Sequence, residues 1–115
     1  MRFKTLLFLF GTTFYFLGSS GISANTLDQT VTFSIDQQYE HSSRNQVSAT
    51  LKKISIKAYW YVSNEYWTGA SETERTFFLG ELDELAKEFD SRIYPTEISF
   101  WGPEWNPGID NDPRI

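Results

Sequence analysis

The chain has 115 residues, enough for one small domain. Fifteen acidic against ten basic residues give a formal charge of −5, which argues against a nucleic-acid partner, because phosphate binding needs a basic face. There is no cysteine, so neither a disulfide nor a lipid-modified N-terminal cysteine is open to it.

Residues 1–24 read as a secretory signal peptide. Arg2 and Lys4 form a basic start, a Leu/Phe-rich run follows through Leu17, and a small polar stretch ends at Ala24. The apolar run is short and interrupted for a membrane span, so cleavage after Ala24 is expected, with Gly21 as the second possibility, leaving no stable membrane anchor and a secreted, extracellular chain. Arg2 and Lys4 are two of the ten basic residues, so the remainder carries eight against fifteen acidic ones, a formal charge of −7.

Residues 25–30 are polar and read as a flexible start to a domain spanning residues 31–115. Val31, Phe33 and Ile35 alternate with polar residues, as in a strand with one buried face. QQYEHSSRNQ is loop-like. Val47, Ala49 and Leu51 alternate again, and Ile54, Ile56, Ala58, Trp60 and Val62 carry the alternation on with the opposite parity. The slip at Lys52-Lys53 predicts a bulge or a meeting of two strands, since one extra residue turns every later side chain over. SNEYWTGA reads as a turn.

Ser71 with Glu74 predicts a capping box at a helix start. Phe78, Leu82, Leu85, Phe89 and Ile93 form an apolar stripe. Asp83 with Lys87, and Glu88 with Arg92, are spaced for ion pairs on the wet side. Pro95 is expected to stop the helix near Tyr94, with one further turn before Gly102-Pro103. The predicted fold class is α+β: a few-stranded, mostly antiparallel sheet, then one long amphipathic helix from about Glu72 to Tyr94, then an irregular tail. A tail this rich in Pro, Gly and Asp is expected to deliver the chain into another strand.

The residues offer little chemistry. His41, the only histidine, lies in a polar loop, whereas a zinc site needs three or four gathered ligands. Asp110 and Asp112, with Asn106 and Asn111, resemble half of a calcium loop without its terminal Glu. The same spacing makes an Asx-type turn, which is the preferred reading. Aromatic residues make up 17% of the chain, enough for a sugar-binding platform to stand beside the plainer role of filling a core. Trp101 and Trp105, flanking a Gly-Pro turn, are the candidate binding aromatics. No catalytic, cofactor-binding or metal residue is assigned.

The strand ending Tyr59–Val62, a helix closing on Phe89 and Ile93-Tyr94-Pro95, and the loop carrying Phe100-Trp101-Gly102, Glu104-Trp105, Pro107-Gly108, Asp110 and Asp112-Pro113 resemble the N-terminal part of secreted bacterial zinc metallopeptidases of the immune-inhibitor-A-like group. The resemblance spans about residues 31–115 and is densest over the last thirty or so. It implies a zincin-type domain, here represented by its front portion. In that group two histidines of an H-E-x-x-H helix hold zinc and the glutamate activates water. That motif is absent from this sequence, so the resemblance transfers no zinc ligand or catalytic residue. It implies a non-catalytic scaffold whose partner is the remainder of the peptidase domain, with zinc belonging only to the full-length relative.

Overall fold

The computed structural model describes residues 25–105, Gly108 and residues 111–115. The signal-peptide reading of residues 1–24 and the candidacy of Asp110 lie outside the described residues.

Three antiparallel strands form a sheet in the order β1 (Thr30–Ser34), β2 (Gln46–Ile54), β3 (Tyr59–Ser63). Val31 lies opposite Ala49 and Phe33 opposite Val47, so the two alternating runs share one face, as their period of two requires. Before β1 the chain is already tied to the sheet: the Asp28 N–H donates to the Leu51 carbonyl at 2.8 Å. The bulge is present. Leu51 pairs with Tyr61 but Lys53 pairs with Trp60, so Lys52 is the extra residue. The alternation through Ile54 and Ile56 was misleading, because residues 55–58 form the β2–β3 hairpin turn, closed by Ser55 N–H to Ala58 O at 2.9 Å, and Ile56 is exposed.

Helix α1 (Asn64–Gly69) replaces the expected turn after β3. Ring contact between Tyr66 and Phe78, at 5.2 Å, and stacking of Lys52 and Arg75 on Trp67 hold it against its neighbours. Such contacts supply what a six-residue helix cannot supply alone.

Helix α2 (Glu72–Glu88) starts at the predicted capping box: Ser71 Oγ accepts from Glu74 N–H while the Glu74 carboxylate accepts from Ser71 N–H. Its end differs from expectation. Pro95 does not stop the helix. A π-helical turn, Phe89–Ile93, is followed directly by α3 (Tyr94–Trp101), with Pro95 in its first turn. The Tyr94 N–H reaches back five residues to Phe89 O, so the coil widens just before the ring. Proline is tolerated at a helix start, where its missing N–H breaks no bond. The helix ends at Gly102, whose φ of +85° favours glycine and whose N–H bonds Ile98 O at 3.0 Å.

The core is small: among the described residues Ala49, Leu51, Ala58, Val62, Leu82, Ala86 and Tyr94 are buried, and only Leu51 of these is a large side chain wholly out of water. Leu85, expected in the apolar stripe, is 47% exposed, and Ala86 takes the buried place. Trp60 meets Phe89 edge-to-face at 5.4 Å, joining sheet to helix. Asp83 pairs with Lys53 of β2 rather than with Lys87, which turns to Glu84, whereas the Glu88–Arg92 pair forms as spaced. These exposed pairs contribute little individually.

Gly80 has open space where a Cβ would stand, so it serves no close approach. Gly80→Ala should stabilise the fold by about 1 kcal/mol through helix propensity alone. A rise in urea midpoint with unchanged m-value would confirm this, and a fall would mean a contact at that face.

Candidate functional site

The tail after α3 folds back to the sheet, and the candidate surface lies at this junction. The Tyr59 hydroxyl donates to Asp112 Oδ2. Asp112 Oδ1 accepts from the Arg114 N–H at 3.0 Å and from Arg114 Nη1 at 3.2 Å. Arg114 also donates through Nε to Ser55 O at 3.1 Å and lies 5.5 Å from the Tyr59 ring centroid. The N–H of Ile115 donates to Lys57 O at 2.9 Å, and Ile115 O accepts from Tyr59 N–H at 2.7 Å. Higher up, the Tyr94 hydroxyl donates to Glu104, and Lys57 Nζ lies 4.9 Å from the Tyr94 ring centroid.

Asp90, in the π-helical turn, grips the other side of the hairpin. It accepts from Ile56 N–H at 2.8 Å, Lys57 N–H at 3.0 Å and Ser55 Oγ at 2.9 Å. The Ser55 hydroxyl in turn accepts from Trp60 Nε1 at 3.1 Å. One four-residue turn is thus held from helix and tail at once.

Of the sequence candidates, Asp112 is engaged with Tyr59 and Arg114, an Asx-type arrangement that helps fasten the tail. Among the described residues, no group of three or more metal-ligating side chains is gathered, and no helix is long and apolar enough to cross a membrane. Trp101 and Trp105 are 78% and 77% exposed. Phe100 packs edge-to-face on Trp101 at 4.8 Å. Beside them runs an apolar groove of about 350 Å³, lined by Phe89, Tyr94, Ile98, Trp101, Pro103 and Ile115. A second, more polar cleft of about 460 Å³ includes Arg44, Glu65 and Glu74. There Arg44 already pairs with Glu40 and Glu65, and Glu74 is bonded to Ser71, so the apolar groove is the better binding candidate. Sequence reasoning missed the roles of Tyr59, Asp90 and Arg114, whose partners lie far off along the chain.

The tail clamps are sensitive to pH. The hydrogen bond from Tyr59, then that from the Arg114 N–H, holds Asp112 below its ordinary range, and Tyr94 does the same for Glu104. The reciprocal bonds push Tyr59 and Tyr94 up. A lowered carboxylate contributes stability that is full above its unfolded pKa and lost as pH falls through the folded one. A raised tyrosine contributes stability that is full below its unfolded pKa and lost as pH rises through the folded one. Tail docking should therefore loosen below about pH 4 and again above about pH 10. Amide exchange at Ile115 against pH would read this. Tyr59→Phe should move the acid limb to higher pH; an unmoved limb would show that Asp112 does not set it.

Comparison with family models, curated proteins and solved structures returns no match for this chain.

Proposed function

We propose that this chain is the non-catalytic front portion of a secreted zinc metallopeptidase-like domain of the immune-inhibitor-A-like group, supplying scaffold strands and helix to the part that holds zinc. The observation that carries this reading is the delivery of the tail. The segment that bears the densest resemblance, through Asp112-Pro113, brings Ile115 to the open side of β3 in hydrogen-bond register. That is where a further strand of a zincin-type sheet would be built. Export with cleavage after Ala24 belongs to the same reading, and N-terminal sequencing of secreted material beginning at Asn25 would support it. Sequencing the gene beyond the Ile115 codon tests the main proposal. A frame, intact or shifted, that encodes H-E-x-x-H is expected, and its absence overturns the reading. Zinc-dependent casein cleavage by the purified chain alone would also overturn it, since a lone loop histidine cannot replace a zinc-bound, Glu-activated water.

A second reading, a secreted aromatic-rich module for carbohydrate or cell-surface binding, is favoured by the exposure of Phe100, Trp101 and Trp105, each above three-quarters. Aromatic rings exposed at the end of α3 and just beyond it offer flat faces for sugar rings to stack on. Titration with several soluble glycan classes, followed by tryptophan fluorescence, would support it through a saturable change lost in Trp101→Ala or Trp105→Ala. No response to any class would remove it.

A further inference from the structure

The outer edge of β3 is half occupied. Leu51 exchanges its backbone bonds with the chain entering β1: its N–H donates to Gln29 O at 2.9 Å and its carbonyl accepts from Asp28 N–H at 2.8 Å. Alternation then turns Thr50 toward β3, opposite Val62. The irregularity between the strands lies in β2, so β3 alternates without interruption. The backbone groups of Tyr59, Tyr61 and Ser63 therefore point away from β2, and the Tyr59 N–H bond to Ile115 has that direction. Ile115 bonds the residues on either side of Ala58, through Lys57 O and Tyr59 N–H. This is the hydrogen-bond pattern of a parallel ladder. One step along the same edge, nothing among the described residues outside the β2–β3 ladder meets the Tyr61 N–H and carbonyl or the Ser63 N–H.

We propose that the Tyr59–Ser63 edge takes an apolar strand running parallel to β3 from the point where Ile115 is seated, and that this strand belongs to the remainder of the peptidase domain. The naming of that source rests on the function proposed above. The direction of the strand is set by Ile115, and its length by the five residues of β3. Its chemistry is set by its neighbours: Trp60 and Val62 on one face of β3, Tyr59 and Tyr61 on the other. A strand flanked by apolar groups on both faces reads as a continuous Val/Ile-rich run rather than an alternating one. Main-chain bonds to Tyr61 and Ser63 fix its register, as in other strand-addition sites.

Backbone amide exchange tests the edge. In the chain as it stands, the Tyr61 and Ser63 amides should exchange much faster than those of Trp60 and Val62, which face β2. Fusing Val-Thr-Val-Ile-Val after Ile115 should slow the Tyr61 amide by at least about tenfold, while a Lys-Glu-Lys-Glu-Lys fusion should not. Ser63→Pro removes one edge donor at a φ of −53°, which proline adopts. It should leave the melt of the unfused chain unchanged and weaken Tyr61 protection in the fused one. A Tyr61 amide as slow as that of Val62 before fusion, or unchanged by it, overturns the proposal. Protection in the fused chain, with no H-E-x-x-H frame downstream, keeps the edge and removes the peptidase as the strand's source.

Discussion

Leu51→Ala is expected to cost about 3 kcal/mol of folding stability, within the roughly 2–5 kcal/mol span for large-to-small core changes. Among the described residues Leu51 is the only large side chain that is 0% exposed, and Ala49, Ala58 and Ala86 have little volume to collapse into the space it would leave. Neighbours that cannot move inward leave a larger residual cavity, which places the cost above the low end of the range. A small domain has only about 5–15 kcal/mol of net stability, so this one change removes a large share. Urea titration of the variant against the parent reads the effect directly. Leu27→Ala, at a residue 58% exposed, is the control and should be near neutral. A cost below about 1 kcal/mol for Leu51→Ala would mean that the site relaxes and the core is not centred there.

Asp90→Ala should have the second-largest effect, about 2–3 kcal/mol, since hydrogen bonds to a charged acceptor contribute about 1.5–3 kcal/mol each and water recovers part of the loss. Its carboxylate accepts from two backbone N–H groups and one hydroxyl of the hairpin turn. Ile56 is exposed, so its N–H is rehydrated, whereas Lys57 and Ser55 are half-buried and recover less. Asp90→Asn keeps one carbonyl oxygen to accept and should restore about half of the loss, because a neutral acceptor is weaker than a carboxylate. Faster amide exchange at Ile56 and Lys57 should accompany both changes. If the stability loss occurs without faster exchange at those two amides, the role assigned to Asp90 is wrong.

The strand pattern was largely legible. Val31 and Phe33, then Val47, Ala49 and Leu51, show their period directly, and the slip at Lys52-Lys53 marks a real bulge. The hairpin turn was hidden because Ile54, Ile56 and Ala58 keep apolar parity across it. The turn is closed by Ser55 and Ala58 and capped by Asp90, 34 residues from Ile56, and no local pattern reports so distant a cap. The helical stripe was misplaced by one residue, at Leu85 instead of Ala86. Counting by bulk favours leucine, but close packing on the sheet favours the smaller side chain. The π-helical turn has no residue signature in FDSRI, so Pro95 read as a stop when the widened coil before it makes it a helix start. Of the candidate site, the exposed tryptophans were visible in the sequence. The Tyr59–Asp112 clamp, spanning 53 positions, was not.

The residues of the β2–β3 turn tie the kinetics of the whole domain together. Ser55, Ile56 and Lys57 are bonded to Asp90 in the helical layer, while Ser55 and Lys57 also hold Arg114 and Ile115 of the tail. Neither helix nor tail can peel away without stripping partners from the same few peptide groups. Such a shared node discourages independent local openings and favours a single cooperative opening unit. A fluctuation that loosens Arg114 and Ile115 is thereby passed to the hairpin, and through Asp90 to the helix, near the place where Trp60 and Phe89 also join sheet to helix. Ile115, remote in sequence from every strand, thus helps set how often the centre of the fold opens to solvent.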